Sequence, residues 1–280
     1  MKPRILMIGD LHQNFKPIRQ LYNYYKESTH PFTKEDTLIC LGDFGANFYF
    51  DHRDKNFKEK LGKYDIQYFV IRGNHEERPS NCVKKDPNDW HTEIFWGNKV
   101  YVENDYPYIK YALDYPAKYE ILTKHRTILK TLVLPGAYSI DKYYRLLHKW
   151  SWFPQEQCNI QERADGLVLA RLNTWDLVLS HTCPAIYEPT DLFLSFIDQT
   201  TVDKTTEQWL GQIEWNLDYK LWAFGHFHKT RVYPMVDGKD KVMLFNDFAF
   251  DLNKYFNPNI KNIVPYDCLI ENYENIINKP

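Results

Sequence analysis

The sequence predicts an α/β fold, and three apolar runs near its start carry that expectation: RILMIGD at 4–10, DTLICLGD at 36–43 and IQYFVIRGNH at 66–75. Each has the length of a strand, and each ends in glycine followed by a polar residue. The segments between them have helical character. Strand, helix, strand, helix, strand at this spacing implies βαβ units with parallel pairing. Right-handed crossovers put all three strand C-termini on one edge, the edge where open α/β sheets bind ligands.

Taken in order, FKPIRQLYNYYKE at 15–27 spaces Ile18, Leu21, Tyr22 and Tyr25 as one helix face. Residues 53–63 are charged, with weaker helical periodicity. Residues 80–125 are rich in Asn, Asp, Pro and Tyr, which suggests short strands and loops. The stretch from 80 to 130 is expected as an insertion or cap over the active edge. TILKTLVLPGAYS at 127–139 reads as a strand. DKYYRLLHKW at 141–150 reads as a helix with Ser139 as its N-cap, and 154–173 holds another. WDLVLSHTCP at 175–184 is a strand delivering His181, TTEQWLGQIEWNL at 205–217 a helix, KLWAFGH at 220–226 a strand and KVMLFNDFAF at 241–250 a late strand. Without an internal repeat or low-complexity linker, one domain spanning 1–280 is the simplest organisation.

Composition narrows the class. Hydrophobic residues at 44% suffice for a sizeable core at 280 residues. A net charge of −2 gives no basic excess for non-specific nucleic-acid binding. The five cysteines are scattered and form no CxxC pair, which argues against a thiolate zinc site and for a reducing compartment. The first residues lack a signal peptide's apolar core, and no apolar run is long enough to cross a bilayer. The expectation is a cytoplasmic protein with no membrane partner; nothing in the sequence speaks to oligomeric state. The histidines outside strand ends (His30, His52, His91, His125, His148) read as surface or packing residues, and Trp150, Trp152, Trp209 and Trp215 as mostly core.

The stretch AFGHFHK at 223–229 points to chemistry. Two imidazoles two residues apart in extended backbone face the same way, and the commonest object they share is a metal ion. The other strand ends deliver Asp10 with His12, Asp43, Asn74 with His75, and His181. All of these motifs except the one at His181 follow a glycine, which lets backbone bend sharply beside an ion.

GDLH (9–12), GDF (42–44), GNHE (73–76), SH (180–181) and GHFH (225–228), in that order, resemble the calcineurin-like metallophosphoesterase family, including its bacterial and phage types. The resemblance implies a four-layer α/β/β/α sandwich of two mixed sheets with flanking helices, and a two-metal site. By matching positions, Asp10, His12 and His228 would hold one ion, Asn74, His181 and His226 the other, and Asp43 would bridge both. A metal-bridging hydroxide would attack phosphorus, with His75 as general acid or charge stabiliser for the leaving oxygen. A shell of imidazole and carboxylate disfavours calcium and suits Mn, Fe, Zn or Ni, with Mn favoured.

Further residues are candidates for substrate contact. Arg78, after GNHEE, either forks onto a phosphate or is a surface arginine. Asn14 either faces substrate or caps the helix after it. Tyr138, Lys142 and Arg145, in GAYSIDKYYR, would line the pocket. One departure from the family is GDFGANF, where Gly45 and Ala46 occupy the region in which its protein Ser/Thr phosphatases carry a phosphate-binding arginine. That departure weakens the reading as a classical protein phosphatase; a small-molecule or protein phosphomonoesterase leads as the expected function. A nucleotide phosphodiesterase or nuclease follows, given the aromatic-rich 90–152 region, so the phosphorylated substrate includes nucleotides and nucleic acid. The alternative of another class is a non-catalytic protein-binding scaffold.

Overall fold

A computed structural model describes residues 3–271 apart from 27 and 29. Glu27, the last residue of the expected 15–27 helix, lies outside the described residues, as do 1–2 and 272–280 of the expected domain.

Strands β1 (Ile5–Ile8), β2 (Thr37–Leu41) and β3 (Gln67–Ile71) pair in parallel. The crossovers run through α1 (Lys16–Lys26) and α2 (His52–Leu61). After α3 (Pro79–Lys85), the same sheet is extended by β4 (Trp90–Phe95), β5 (Asn98–Glu103) and β6 (Ile109–Tyr111). A second sheet is built from β7 (Ala117–Leu122), β8 (Ile128–Leu134), β9 (Leu177–Ser180), β10 (Leu221–Phe224), β11 (Arg231–Val236) and β12 (Lys239–Met243). Helices α4 (Lys142–Leu147), α5 (Ile160–Arg171) and α6 (Thr205–Trp215) punctuate it. The chain then returns to the first sheet with β13 (Phe248–Asp251), α7 (Leu252–Tyr255) and β14 (Leu269–Glu271). The strand orders are β14-β13-β1-β2-β3-β6-β5-β4 and β11-β12-β10-β9-β8-β7, both mixed.

Period-2 alternation sorts the side chains into layers. Met7 and Ile39 from the first sheet meet Val133 and Ala223 from the second in a shared core. Their neighbours Leu6 and Cys40 face Ile18 of α1 and Phe57 of α2. Trp222 and Phe224 face outward onto Trp209, Leu210 and Ile213 of α6. Helices, sheet, sheet, helices is the four-layer sandwich that was expected. Fully buried aliphatic side chains contribute about 1.5–3 kcal/mol each on transfer from water, so three such cores hold the strand ends in register.

Three expectations change. Residues 90–122 form the outer strands of the two sheets and not a cap over the active edge. Their tyrosines and branched residues fit a pleated, half-buried surface. The 241–250 run is two strands in different sheets, broken at Asn246 and Asp247. Asn246 Nδ2 donates to the Asp10 carbonyl at 2.7 Å and Asp247 accepts from Thr230 Oγ1. Trp209 is core, but Trp150 and Trp215 are 58% and 84% exposed. No helix among the described residues is long and apolar enough to cross a membrane.

Candidate metal centre

The C-terminal ends of β1, β2, β3, β9 and β10 converge where the two sheets meet. The backbone there is strained. Asp10, His12, Asp43, His226 and His228 all have φ between 45° and 74°, a region that costs a residue with a Cβ of order 1 kcal/mol or more. Hydrogen bonds between the loops hold it. Asp43 Oδ1 accepts from the N–H groups of Asn74 and His75 at 2.9 and 2.8 Å. The Asp10 carboxylate accepts from His226 N–H at 2.9 Å, and His12 N–H donates to the Asp43 carbonyl at 2.7 Å. Two glycines are required by space. A Cβ on Gly42, whose φ is +87°, would lie 2.1 Å from His181 Nδ1, and one on Gly73 would lie 2.1 Å from Asp43 Oδ1.

The ligand atoms form two groups with Asp43 between them. Asp10, His12, Asp43 and His228 each offer one atom, all within 4.8 Å of one another. His12 Nε2 and His228 Nε2 are 3.0 Å apart, and His12 Nε2 is 3.7 Å from Asp43 Oδ2. On the other side, His181 Nε2 lies 2.9 Å from Asn74 Oδ1, 3.3 Å from His226 Nδ1 and 3.3 Å from Asp43 Oδ1.

Tautomer and amide orientation follow from the neighbours. His181 Nδ1 faces the Leu41 carbonyl at 2.8 Å, so it carries a proton and donates. Asn74 Nδ2 donates to Ser139 Oγ at 3.0 Å, which turns Oδ1 toward His181. Nε2 of His181 therefore meets two oxygen acceptors, an arrangement that only a proton or a cation relieves. Burial opposes charge on His181, but Asp43 and Asp10 outweigh it and raise the group to about 9. Burial likewise pushes Asp43 up, and His181, His75 and His12 outweigh it and hold it well below the usual range. The donor set thus fits a pair of divalent cations.

Behind these ligands stand groups that the sequence reading missed. Ser139 is not a helix cap: its Oγ donates to Glu156 Oε2 at 2.6 Å and its N–H to Oε1 at 3.0 Å, and Asp141 precedes α4. Ser139 follows a strand in the second sheet, and that strand-end position was the available signal. Glu156 had none. Glu76 accepts from Gly73 N–H and Gly45 N–H, and burial and Asp43 push it up to about 7.

The remaining candidates separate. Arg145 is 2% exposed, donates through Nε to Asp141 at 2.8 Å and places Nη2 2.9 Å from His75 Nδ1, also touching Nε2. The group beside His75 is thus a guanidinium, which can only donate. Burial, opposed by Asp43 and reinforced by Arg145, lowers His75 to about 4, so the ring is neutral near pH 7. Tyr138 lines a cavity next to His75. Asn14 Oδ1 accepts from Lys16 N–H at 3.0 Å, a local turn that leads into α1. Arg78 is neither on the surface nor at the ligands. It is 6% exposed, forked onto Glu162 at 2.6 and 3.0 Å, and donates to the Gln155 and Gln157 carbonyls. Glu162 also closes the capping box of α5 with Asn159, so that arginine anchors a helix start.

Known proteins share this architecture. No curated protein matches the chain by sequence. Among solved structures, a dimetal phosphatase from Danio rerio is similar at 11% identity and a TM-score of 0.51, over 89% of this chain and 92% of that one. A phosphopantetheinyl hydrolase from Mycobacterium tuberculosis is similar at 13% identity and a TM-score of 0.46, over 100% and 99%. A protein from Thermus thermophilus is similar at 11% identity and a TM-score of 0.49, over 91% and 96%. At such identities the likeness is one of fold. A family model described as calcineurin-like phosphoesterase matches residues 3–230, a span that takes in every strand end from Asp10 to His228, and the chain belongs to that family.

Proposed function

We propose that this protein is a phosphomonoesterase with a two-metal centre, in which Asp10, His12 and His228 hold one ion, Asn74, His181 and His226 the other, and Asp43 both. The observation that carries this reading is the placement of Asp43: Oδ1 faces His181 and Oδ2 faces His12, at 3.3 and 3.7 Å. Divalent ions there would activate water and neutralise the phosphoryl oxygens. The shell has no thiolate, which suits Mn, Fe, Zn or Ni, and Mn is the first choice for loading. The five cysteines are free and buried, which supports a reducing, cytoplasmic setting.

The chain's own groups would complete the chemistry. The backbone N–H groups of Asn74 and His75 fix Asp43, so its two oxygens keep their separate directions. His75, 25% exposed at its side chain and 3.9 Å from Asp43 Oδ2, stands at the open side of the centre. As a neutral ring it would donate an N–H to the leaving oxygen, while Arg145 behind it supplies positive charge. This differs from an imidazolium acid of ordinary pKa.

Hydrolysis of p-nitrophenyl phosphate against bis-p-nitrophenyl phosphate by Mn-loaded protein tests the reading. The expected result is kcat/KM at least about tenfold higher for the monoester, lost on chelation. A preference for the diester would replace phosphatase with phosphodiesterase. Silence on both, with metals bound, would favour the scaffold.

A further inference from the structure

We infer that the ester's leaving group is an uncharged, largely apolar alcohol or phenol, seated in the cavity that residues between Glu188 and Lys204 line beside the metal ligands. The inference rests on the phosphoesterase reading above. The cavity holds about 360 Å³, within the range of small-molecule sites, and it opens directly onto Asp43, Asn74, His75, His226 and His228. A phosphoryl group at those residues would therefore project its ester substituent into this space.

The far wall is apolar. Leu192, Phe193, Leu194 and Val202 come from the 185–204 segment, and Tyr138 and Ile140 face them from the stretch after β8. Leu194 is 46% and Ile140 40% exposed, so this apolar lining is reached from solvent.

The polar groups in the wall are mostly spoken for, and one is not. Lys204 is the one lysine or arginine among the lining residues, and its Nζ holds Glu188 at 2.6 Å above the Phe193 ring. Asp141 is held by Arg145, and Asp203 accepts from Gln157 and from Thr205 N–H. Glu207 is 4% exposed, and its Oε1 accepts from Thr182 Oγ1 at 2.9 Å. Its Oε2 is buried without a hydrogen-bond partner, a situation rare enough in proteins to point to a missing polar partner. A hydroxyl or N–H on the leaving group would supply it, after a small movement of either partner. An anionic leaving group would instead meet the carboxyls of Asp203 and Glu207 with no free cation in the wall to offset them, because Arg145 is held by Asp141 and Lys204 by Glu188. Like charge brought together in a cavity is a device for rejecting the wrong ligand. This wall therefore disfavours nucleic-acid strands and nucleoside polyphosphates in the leaving position.

Two measurements on the full chain test this. Calorimetric titration of metal-free protein with leaving groups alone reads the cavity without any turnover. We expect saturable binding of 4-butylphenol, at least tenfold weaker binding of 4-hydroxybenzoate, and loss of the butylphenol signal in Leu194→Glu, a change at an exposed position. Turnover by Mn-loaded protein should follow the same order, with kcat/KM for 4-butylphenyl phosphate at least tenfold above that for 4-carboxyphenyl phosphate. Glu207→Gln, equal in shape, should narrow that gap several-fold. Equal binding of the two phenols, or equal turnover of the two esters, overturns the inference and leaves the phosphoesterase reading standing. Turnover of neither ester overturns that reading and the inference with it.

Discussion

The two sides of Asp43 are built differently. On one side Asn74 and His181 are 3% and 0% exposed. Each is oriented by a second group, Ser139 for the amide and the Leu41 carbonyl for the imidazole. On the other side Asp10 is buried, whereas the His12 side chain is 29% exposed and His228 is open to solvent. Those two rings are set by their left-handed backbone and by ring contacts, His75 edge-on to His12 at 4.7 Å and Phe245 stacked on His228 at 5.2 Å. A buried, pre-oriented ligand pair loses little freedom when it takes an ion, whereas an exposed pair must be ordered by the binding. On the proposed ligand assignment, an inner ion would be held tightly and an outer one would exchange and meet substrate.

The most severe way to break that comparison is to remove what the sides share. Asp43→Asn is expected to empty both positions together and to lower kcat/KM at least about a thousandfold, more than loss of one oxyanion donor. Metal analysis of the purified protein checks it; a variant that keeps one ion would show that Asp43 serves one side only. The next largest effect separates the sides. His228→Ala should lose the outer ion and keep the inner one, whereas His181→Ala should lose the inner ion and bind the outer one more weakly. Native mass spectrometry counts the ions. Equal loss in both variants would mean that the sides are not independent in the way their burial suggests.

Both sides were legible in the sequence for one physical reason. A buried parallel strand reads as an unbroken apolar run, and a polar residue that ends such a run, after a glycine at every motif but the one at His181, must stand on the sheet's edge. That logic found Asp10, Asp43, Asn74, His181, His226 and His228 without knowing how the strands are ordered. It could not find what orients them. Ser139 reaches Asn74 from the other sheet, 65 residues away in sequence, and Glu156 stands behind Ser139, and no local spacing announces either contact. Arg78 was misjudged for the converse reason: four residues from Asn74 in sequence, it turns away with α3 and pairs with Glu162, 84 residues on. Arg145 was expected near the pocket, and its partner in the fold is His75, 70 residues earlier. The stretch 80–130 suggested short strands and loops with an insertion or cap over the active edge, and its strands extend the edges of the two sheets, a placement that local sequence does not specify.

Ser139→Ala sharpens the comparison from the inner side. Without the hydroxyl, Asn74 can flip its amide and present Nδ2 to the cation. Inner-ion affinity is expected to fall about 10- to 100-fold, the usual effect of removing an orienting partner, with the outer affinity little changed. A chelator competition that resolves two dissociation constants measures both. An equal fall at the two positions would assign Ser139 to general stability.

At fixed pH near 9 the last effect vanishes, because it is a pH dependence confined to the inner side. In metal-free protein His181 binds its proton until about pH 9, against an ordinary 6.5. A cation on Nε2 must displace that proton, so inner-ion affinity should fall about tenfold for each pH unit below 9. The same shift sets a sign for stability. A raised imidazolium stabilises the metal-free fold in full below pH 6.5, and that contribution is lost as pH rises through 9. Loaded protein has a cation in the proton's place and escapes the loss. The difference in Tm between loaded and metal-free protein, measured at fixed free Mn, should therefore widen from pH 6.5 to pH 9. A difference that stays constant or narrows over that window would mean that the inner ion does not compete with a proton on His181, and that the ligand's burial, not its charge, sets the tighter site.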